Sequence, residues 1–301
     1  SQTADNITSD IDLVVYTAAI RDTNPELSAA RAAGIPTITR AELLGQIMTN
    51  YKTAVNIAGT HGKTTTTSML TEILMAGNCD PTISVGGILH SIGGNIRVGG
   101  PELFVTEACE YTNSFLSFFP TMEIILNIEA DHLDFFKDLD DIRHSFRLFA
   151  EKLDEKGLLI INRDIKNYEE ISGGLPCRVV TFGHSSESDY SAADITYDAF
   201  ARPTFTLTEQ GKKAGTITLG VPGEHNVYNA LAAIATAKAL GIPDTAIAEG
   251  LLHFTGTDRR FEKKGELNGI TIIDDYAHHP TEIAATLKSA AHYPHKKLWC
   301  I

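Results

Sequence analysis

One ten-residue segment constrains this chain more than any other: Asn56-Ile57-Ala58-Gly59-Thr60-His61-Gly62-Lys63-Thr64-Thr65. A strand-type apolar run, Thr53 to Ile57, leads into it, and a helical pattern from about Lys63 to Met75 leads out. Strand, glycine-bearing turn and helix in that order build an anion cradle. Gly59 and Gly62 let backbone N–H groups turn inward, and the helix N-terminus adds its dipole. Lys63 then brings a mobile positive charge to the β- and γ-phosphates of a nucleotide such as ATP, and the Thr64 hydroxyl offers a ligand to Mg2+. The helix begins Thr64-Thr65-Thr66-Thr67-Ser68, a poor start by propensity. The run is expected to face phosphate. The segment is a variant of G-x-x-x-x-G-K-[ST], with Ile57 where that pattern has glycine. The bland alternative is a tight strand–helix turn with an incidental Gly-Lys-Thr.

The pattern around the loop predicts an α/β protein with a mostly parallel sheet. Leu103–Thr106, Glu123–Asn127, Leu158–Ile161 and Arg178–Thr181 are strand-type runs, and helices are expected over about 140–153, 226–240 and 244–252. From Asp189 to Leu219 the period becomes two, which reads as an antiparallel patch added to the sheet. Before the loop come a strand at 11–16, a helix from Asn24 to Ala33 closed by Gly34, a strand at 35–38 and a helix from Arg40. After it, Ile270–Ile273 and Lys297–Ile301 are expected strands flanking a helix from about Pro280 to Ala290. The stretch from Gly86 to Gly100 has neither strand nor helix period and is expected to be a functional or mobile loop.

Composition narrows the partners. With 25 Lys+Arg against 38 Asp+Glu the formal charge is −13, which argues against nucleic acid and anionic membrane surfaces while allowing a local phosphate pocket. No run of 18 apolar residues and no secretion signal are visible. Cys79, Cys109, Cys177 and Cys300 form no C-x-x-C pair and read as reduced bystanders. The expectation is a cytoplasmic protein.

Glu107 with Glu110, and Asp131-His132, lie just past two expected parallel strands, where open α/β sheets place their ligands. A carboxylate and an imidazole there can hold a second Mg2+. On residues alone, Glu107 also fits a solvated loop and His132 a helix start.

The Gly59-Thr60-His61-Gly62-Lys63-Thr64-Thr65 segment resembles the nucleotide loop of the Mur ligase family, ATP-dependent amide-forming enzymes of peptidoglycan precursor synthesis; the wider superfamily includes folylpolyglutamate synthetase. Thr106-Glu107-Ala108-Cys109-Glu110-Tyr111 and Asn127 to Asp134 are similar to the motifs that carry the family's magnesium glutamate and histidine, which transfer to Glu107 and His132. The resemblance implies catalytic roles for Lys63, Glu107 and His132. It implies magnesium ligation by Thr64, Glu107 and His132. Nucleotide contacts fall on Gly59, Thr60, His61, Gly62, Lys63, Thr64 and Thr65, and on Asn226 and Asn229 of Gly223-Glu224-His225-Asn226-Val227-Tyr228-Asn229. That segment read alone is only a helix cap. Arg260, Asp275 and His278, from Thr257–Glu262 and Asp274–Pro280, are implied to reach ATP and the incoming amino acid. Asn95 and Arg97 in the glycine-rich stretch are implied sugar or phosphate contacts, beside the alternative of a flexible surface loop. Several relatives carry a carbamylated lysine about fifteen residues after the histidine. Here the stretch is His144-Ser145-Phe146-Arg147, so none is expected.

Within the family these segments are most similar to the branch whose substrates are UDP-N-acetylmuramic acid and L-alanine. The alternatives are the branch that recycles a tripeptide onto the same nucleotide, and a nucleotide-binding module without turnover. The expected organisation is 1–50, a remnant of a Rossmann-like domain for the uridine substrate; 51–257, the ATP-binding domain; and 258–301, the truncated start of a Rossmann-like amino-acid domain. The chain is accordingly expected to be a fragment. Oligomeric state is not legible.

Overall fold

The computed structural model describes residues 1–301. The first fifty residues form β1 (Val14–Tyr16), α1 (Pro25–Ala32), β2 (Thr37–Thr39) and α2 (Arg40–Met48), with β1 and β2 parallel. Local chemistry sets these ends. The Asn24 Oδ1 accepts from the Glu26 and Leu27 amides at 3.0 and 3.1 Å, Pro25 opens α1, and Gly34 closes it at φ 71°. Thr39 and Glu42 form a reciprocal capping box on α2.

The central region runs β3 (Thr53–Ala58), α3 (Lys63–Ala76), β4 (Thr82–Leu89), β5 (Gly94–Arg97), β6 (Leu103–Ala108), β7 (Met122–Ile125), α4 (Leu139–Ala150), β8 (Leu158–Asn162), α5 (Glu169–Ser172), β9 (Arg178–Gly183), β10 (Tyr190–Tyr197), β11 (Pro203–Glu209), β12 (Lys212–Thr218), α6 (His225–Ala239) and α7 (Asp244–His253). Its strands make one ten-stranded sheet in the order β12-β11-β10-β9-β8-β7-β3-β6-β4-β5. From β4 through to β10 every pairing is parallel; β5, β11 and β12 add antiparallel edges. Alternate residues feed opposite cores. Val55, Ile57, Ile124 and Ile160 pack beneath α3, α6 and α7, while Ala54, Ala58, Ile125 and Ile161 meet Phe146 and Phe149 of α4. Helix α6 is buried nearly all round, so its alanines reflect close packing rather than an amphipathic surface.

The last segment forms an antiparallel hairpin, β13 (Glu262–Leu267) with β14 (Ile270–Asp274), followed by α8 (Pro280–His292). No helix is long and apolar enough to cross a membrane, and all four cysteines are free.

Three expectations are corrected. The glycine-rich stretch is not an unstructured loop: β4 pairs with β6 and folds back on β5, with a register shift between Ser84 and Leu89. Gly86 and Gly87 lie within that shift without ladder partners, so no side-chain alternation runs through the stretch. Residues 297–301 form no strand, because β14 pairs only with β13 and no ladder reaches them. The strand at 270–273 belongs to a hairpin whose first arm, Glu262–Leu267, was not expected.

Candidate active site

Strand β3 is central, with β6 on one side and β7 on the other, so the chain leaves its carboxyl end through a narrow exit. Gly59 takes φ 143° and Gly62, the residue before α3, φ 84°. A Cβ at Gly59 would lie 2.9 Å from the Leu126 Cβ, and one at Gly62 2.5 Å from the Asn229 Oδ1. Only glycine meets both the backbone angle and the space. Asn127, just past β7, staples the turn: its Oδ1 accepts from the His61 amide at 2.8 Å and its Nδ2 donates to the His61 carbonyl at 3.0 Å. The Thr60 hydroxyl accepts from the Glu129 amide at 2.9 Å. The cradle is therefore shaped by protein contacts alone, as electrostatic preorganisation requires.

The hydroxyl run divides. The Thr64 Oγ1 donates to the Glu107 Oε2 at 3.2 Å, and Thr65 lines the cleft. Thr66, Thr67 and Ser68 are fully buried in the core. This corrects the expectation that the whole run faces phosphate, since successive helical residues turn by about 100° and five cannot share a face. The Lys63 Nζ donates to the Glu110 Oε2 at 3.1 Å, to the Thr60 carbonyl at 3.2 Å and to the Gly59 carbonyl. Glu110 is only 2% exposed, so the lysine has an internal counter-ion.

Glu107 lies within β6, one residue before its end and not just past the strand as expected, and its second oxygen accepts from the Gly86 amide of β4. His132 stands on the loop after β7 at φ 52°, its ring 4.6 Å from that of Tyr111. Because β3 separates β6 from β7, the phosphate loop lies between the two residues. They make no hydrogen bond or ion pair with each other; their partners are Thr64 and Gly86 for Glu107, and Tyr111 and Asp131 for His132.

A cleft of ≈ 270 Å³ runs from the loop to the start of α6 and to the last segment. His225 lines it. The Asn229 Nδ2 donates to the Asn226 Oδ1 at 3.0 Å, and the Asn226 Nδ2 to the Pro222 carbonyl at 2.7 Å; the Asn229 amide lies beside Gly62 and both residues line the cleft. His184 stacks on Tyr228 at 3.7 Å between ring centroids, and its Nδ1 is 2.6 Å from the Asp164 Oδ2.

From the far wall, the Asp275 carboxylate accepts from the Phe261 and Ala277 amides at 2.9 and 2.7 Å, shaping the turn before α8. The Arg260 Nη1 is 3.7 Å from the Glu282 Oε1. His278 is exposed, its Nδ1 3.1 Å from the Tyr276 carbonyl oxygen, while the half-buried His279 lies against the phosphate loop with its ring 4.6 Å from that of His61. Burial alone would raise the Glu282 carboxyl; His61, the His278 amide and Arg260 together outweigh it and bring it down to about 2.

The Mur ligase middle domain model matches residues 57–237, the Mur ligase family catalytic domain residues 1–52, and the Mur ligase glutamate ligase domain residues 259–301. The chain belongs to the Mur ligase family. A UDP-N-acetylmuramate–L-alanine ligase of Lachnospira eligens is 67% identical over 301 residues, 100% of this chain and 66% of the relative. One from Agathobacter rectalis is 61% identical over 297 residues, 99% and 65% of the two chains. This Mur ligase chain thus spans just under two thirds of those relatives. The crystal structure of the UDP-N-acetylmuramate–alanine ligase of Thermotoga maritima superposes with TM-score 0.84 at 33% identity, covering 97% of this chain and 66% of that one.

Asn95 is exposed on β5, whereas the Arg97 guanidinium is engaged by Asp80 and by the Pro81 carbonyl, where it ties β5 to the turn before β4. On α4, Arg147 binds Glu151 and the carbonyls of Ile171 and Gly173. Asn127, Glu129, His279 and Glu282 were not singled out by sequence. Asn127 and Glu129 follow a strand end, which is a usable signal. Nothing in the chain separates His279 from His278 until α8 is placed.

Proposed function

We propose that this chain carries the nucleotide-binding and carboxylate-activating machinery of a cytoplasmic UDP-N-acetylmuramate–L-alanine ligase of peptidoglycan precursor synthesis. The observation that carries the reading is the stapled Gly59–Thr64 loop opening on a cleft, with Thr64 and Glu107 converged at 3.2 Å beside it. The choice of UDP-N-acetylmuramic acid and L-alanine is supported by the names of relatives 67% and 61% identical. Residues 1–50, 51–257 and 258–301 are read as the uridine-nucleotide, ATP and amino-acid portions.

The lactyl carboxylate of UDP-N-acetylmuramic acid attacks the γ-phosphorus of ATP. An O–P bond forms, the β–γ bridge bond breaks and ADP leaves. The L-alanine amine then attacks the acyl carbon of the acyl phosphate, the C–O bond to phosphate breaks, and the nitrogen loses a proton. Loop amides and the α3 N-terminus hold the phosphates, and Lys63 exchanges Glu110 for a phosphate oxygen. A hydroxyl and a carboxylate are hard oxygen donors that fit Mg2+. Thr64 and Glu107 would hold one ion, and Glu107 with His132 would contribute to a second whose remaining ligands are phosphate oxygens and water, supplying neutralisation of phosphate charge. Asn226 and Asn229 position the nucleotide. Arg260, Asp275 and His278 serve ATP and the amino acid, and Asn95 and Arg97 border the sugar nucleotide. Closure of the last segment over the cleft keeps water from the acyl phosphate.

The test is incubation with ATP, Mg2+, UDP-N-acetylmuramic acid and L-alanine, read by mass spectrometry and ADP release. The alanyl product with matching ADP is expected. Product with tripeptide and not alanine would assign the recycling activity instead. Calorimetric ATP binding with neither product would leave a nucleotide-binding module without turnover.

A further inference from the structure

We propose that His61, Glu129 and His279 form a binding site for a divalent transition ion of the Zn2+ class, separate from the magnesium candidates, which ties the start of α8 to the phosphate loop. Each residue offers one donor atom, and these lie within 4.8 Å of one another. The His61 Nε2 is 3.6 Å, and the His279 Nδ1 3.8 Å, from the Glu129 Oε2. Both are too long for hydrogen bonds. They are close to the roughly 3.4 Å that separates donors held about 2.1 Å from a tetrahedral ion.

Three further observations point to a ligand. The His61 Nε2 is buried with no hydrogen-bond partner, the cost of which an ion would remove. Its Nδ1 lies 3.3 Å from the Glu282 Oε1, so that carboxylate holds the ring proton on Nδ1 and leaves the Nε2 lone pair aimed at Glu129. That is the carboxylate–histidine arrangement found behind metal ligands. The Thr281 Oγ1 donates to the Glu129 Oε2 at 2.8 Å and orients the third donor, while the His279 Nδ1 accepts only a long 3.4 Å bond from the Thr281 amide.

Two imidazoles with one carboxylate suit Zn2+ over Mg2+, which takes oxygen ligands. Three protein donors leave a fourth position for water or a phosphate oxygen. The donors come from the phosphate loop, the segment after β7 and the N-cap of α8, so a filled site fastens the far wall of the cleft to the near one.

The test is calorimetry with Zn2+ alone as ligand, on the whole chain in millimolar Mg2+, with Co2+ absorption as a geometric probe. One equivalent of Zn2+ with intense tetrahedral Co2+ bands is expected. His279→Ala and the near-isosteric Glu129→Gln should each weaken binding at least tenfold, and Glu282→Gln about tenfold through the ring orientation. Glu107→Gln and His132→Ala should leave it within about twofold, with circular dichroism melts confirming that each variant is folded. Unchanged Zn2+ affinity in both His279→Ala and Glu129→Gln, or loss of binding in His132→Ala, would overturn the proposal. None of these readouts depends on ligase activity.

Discussion

Lys63 reaches the protein's own oxygens before it meets a nucleotide, through Glu110 and the carbonyls of Gly59 and Thr60. Its ammonium is therefore presented at a fixed place rather than swept through solvent, and its contribution belongs to the transferring phosphoryl group. Lys63→Ala should lower kcat for ligation by about 10²–10³, the cost of losing one preorganised electrostatic donor, as read by steady-state ADP release. Gly62→Ala should act differently. Its φ of 84° and the 2.5 Å approach to the Asn229 Oδ1 displace the start of α3, so ATP affinity should fall in calorimetry while the core stays folded.

At the scale of elements, the hairpin β13–β14 turns on Asn268 at φ 51° and Gly269 at φ 76°, the left-handed pair of a type I′ turn. Gly269→Ala should cost about 1–2 kcal/mol locally and speed amide exchange in 262–274 before any other strand responds. The Asn268-Gly269 dipeptide was a readable signal. Its first arm was missed because Glu262-Lys263-Lys264-Gly265-Glu266 has no apolar alternation. Strands β3, β6 and β8 were legible since burial on both faces leaves continuous apolar runs. Strands β4 and β5 were not, because Gly86 and Gly87 fall in the register shift between Ser84 and Leu89, where the alternation breaks. The phosphate loop was legible because its groups are contiguous in sequence. The opposite wall was legible only in part: Arg260 and Asp275, named from the sequence, line the cleft, whereas His279 and Glu282 depend on which residue of the His278-His279 pair the start of α8 brings to His61.

Across the whole molecule, the sheet interior holds one unresolved polar pair. Glu123 and Asn56 are register partners on β7 and β3; both Glu123 oxygens and the Asn56 Oδ1 are buried without a hydrogen bond. Burial pushes the Glu123 carboxyl well above the usual range, only partly opposed by Lys152. The folded state thus keeps a proton that the unfolded chain releases near pH 4.5. Stability from this group is complete below that pH and is lost as pH rises toward the raised value, at about 1.4 kcal/mol per pH unit within the window. Urea unfolding should show Glu123→Gln gaining on the wild type as pH rises above 4.5, and equal slopes would refute the assignment. The stapling of the loop by Asn127 has a kinetic meaning as well. The His61 amide is bonded to a side chain rooted beside the sheet's innermost strands. Its deuterium uptake should therefore keep time with opening of the whole sheet and not with surface loops, making one backbone proton a clock for global unfolding.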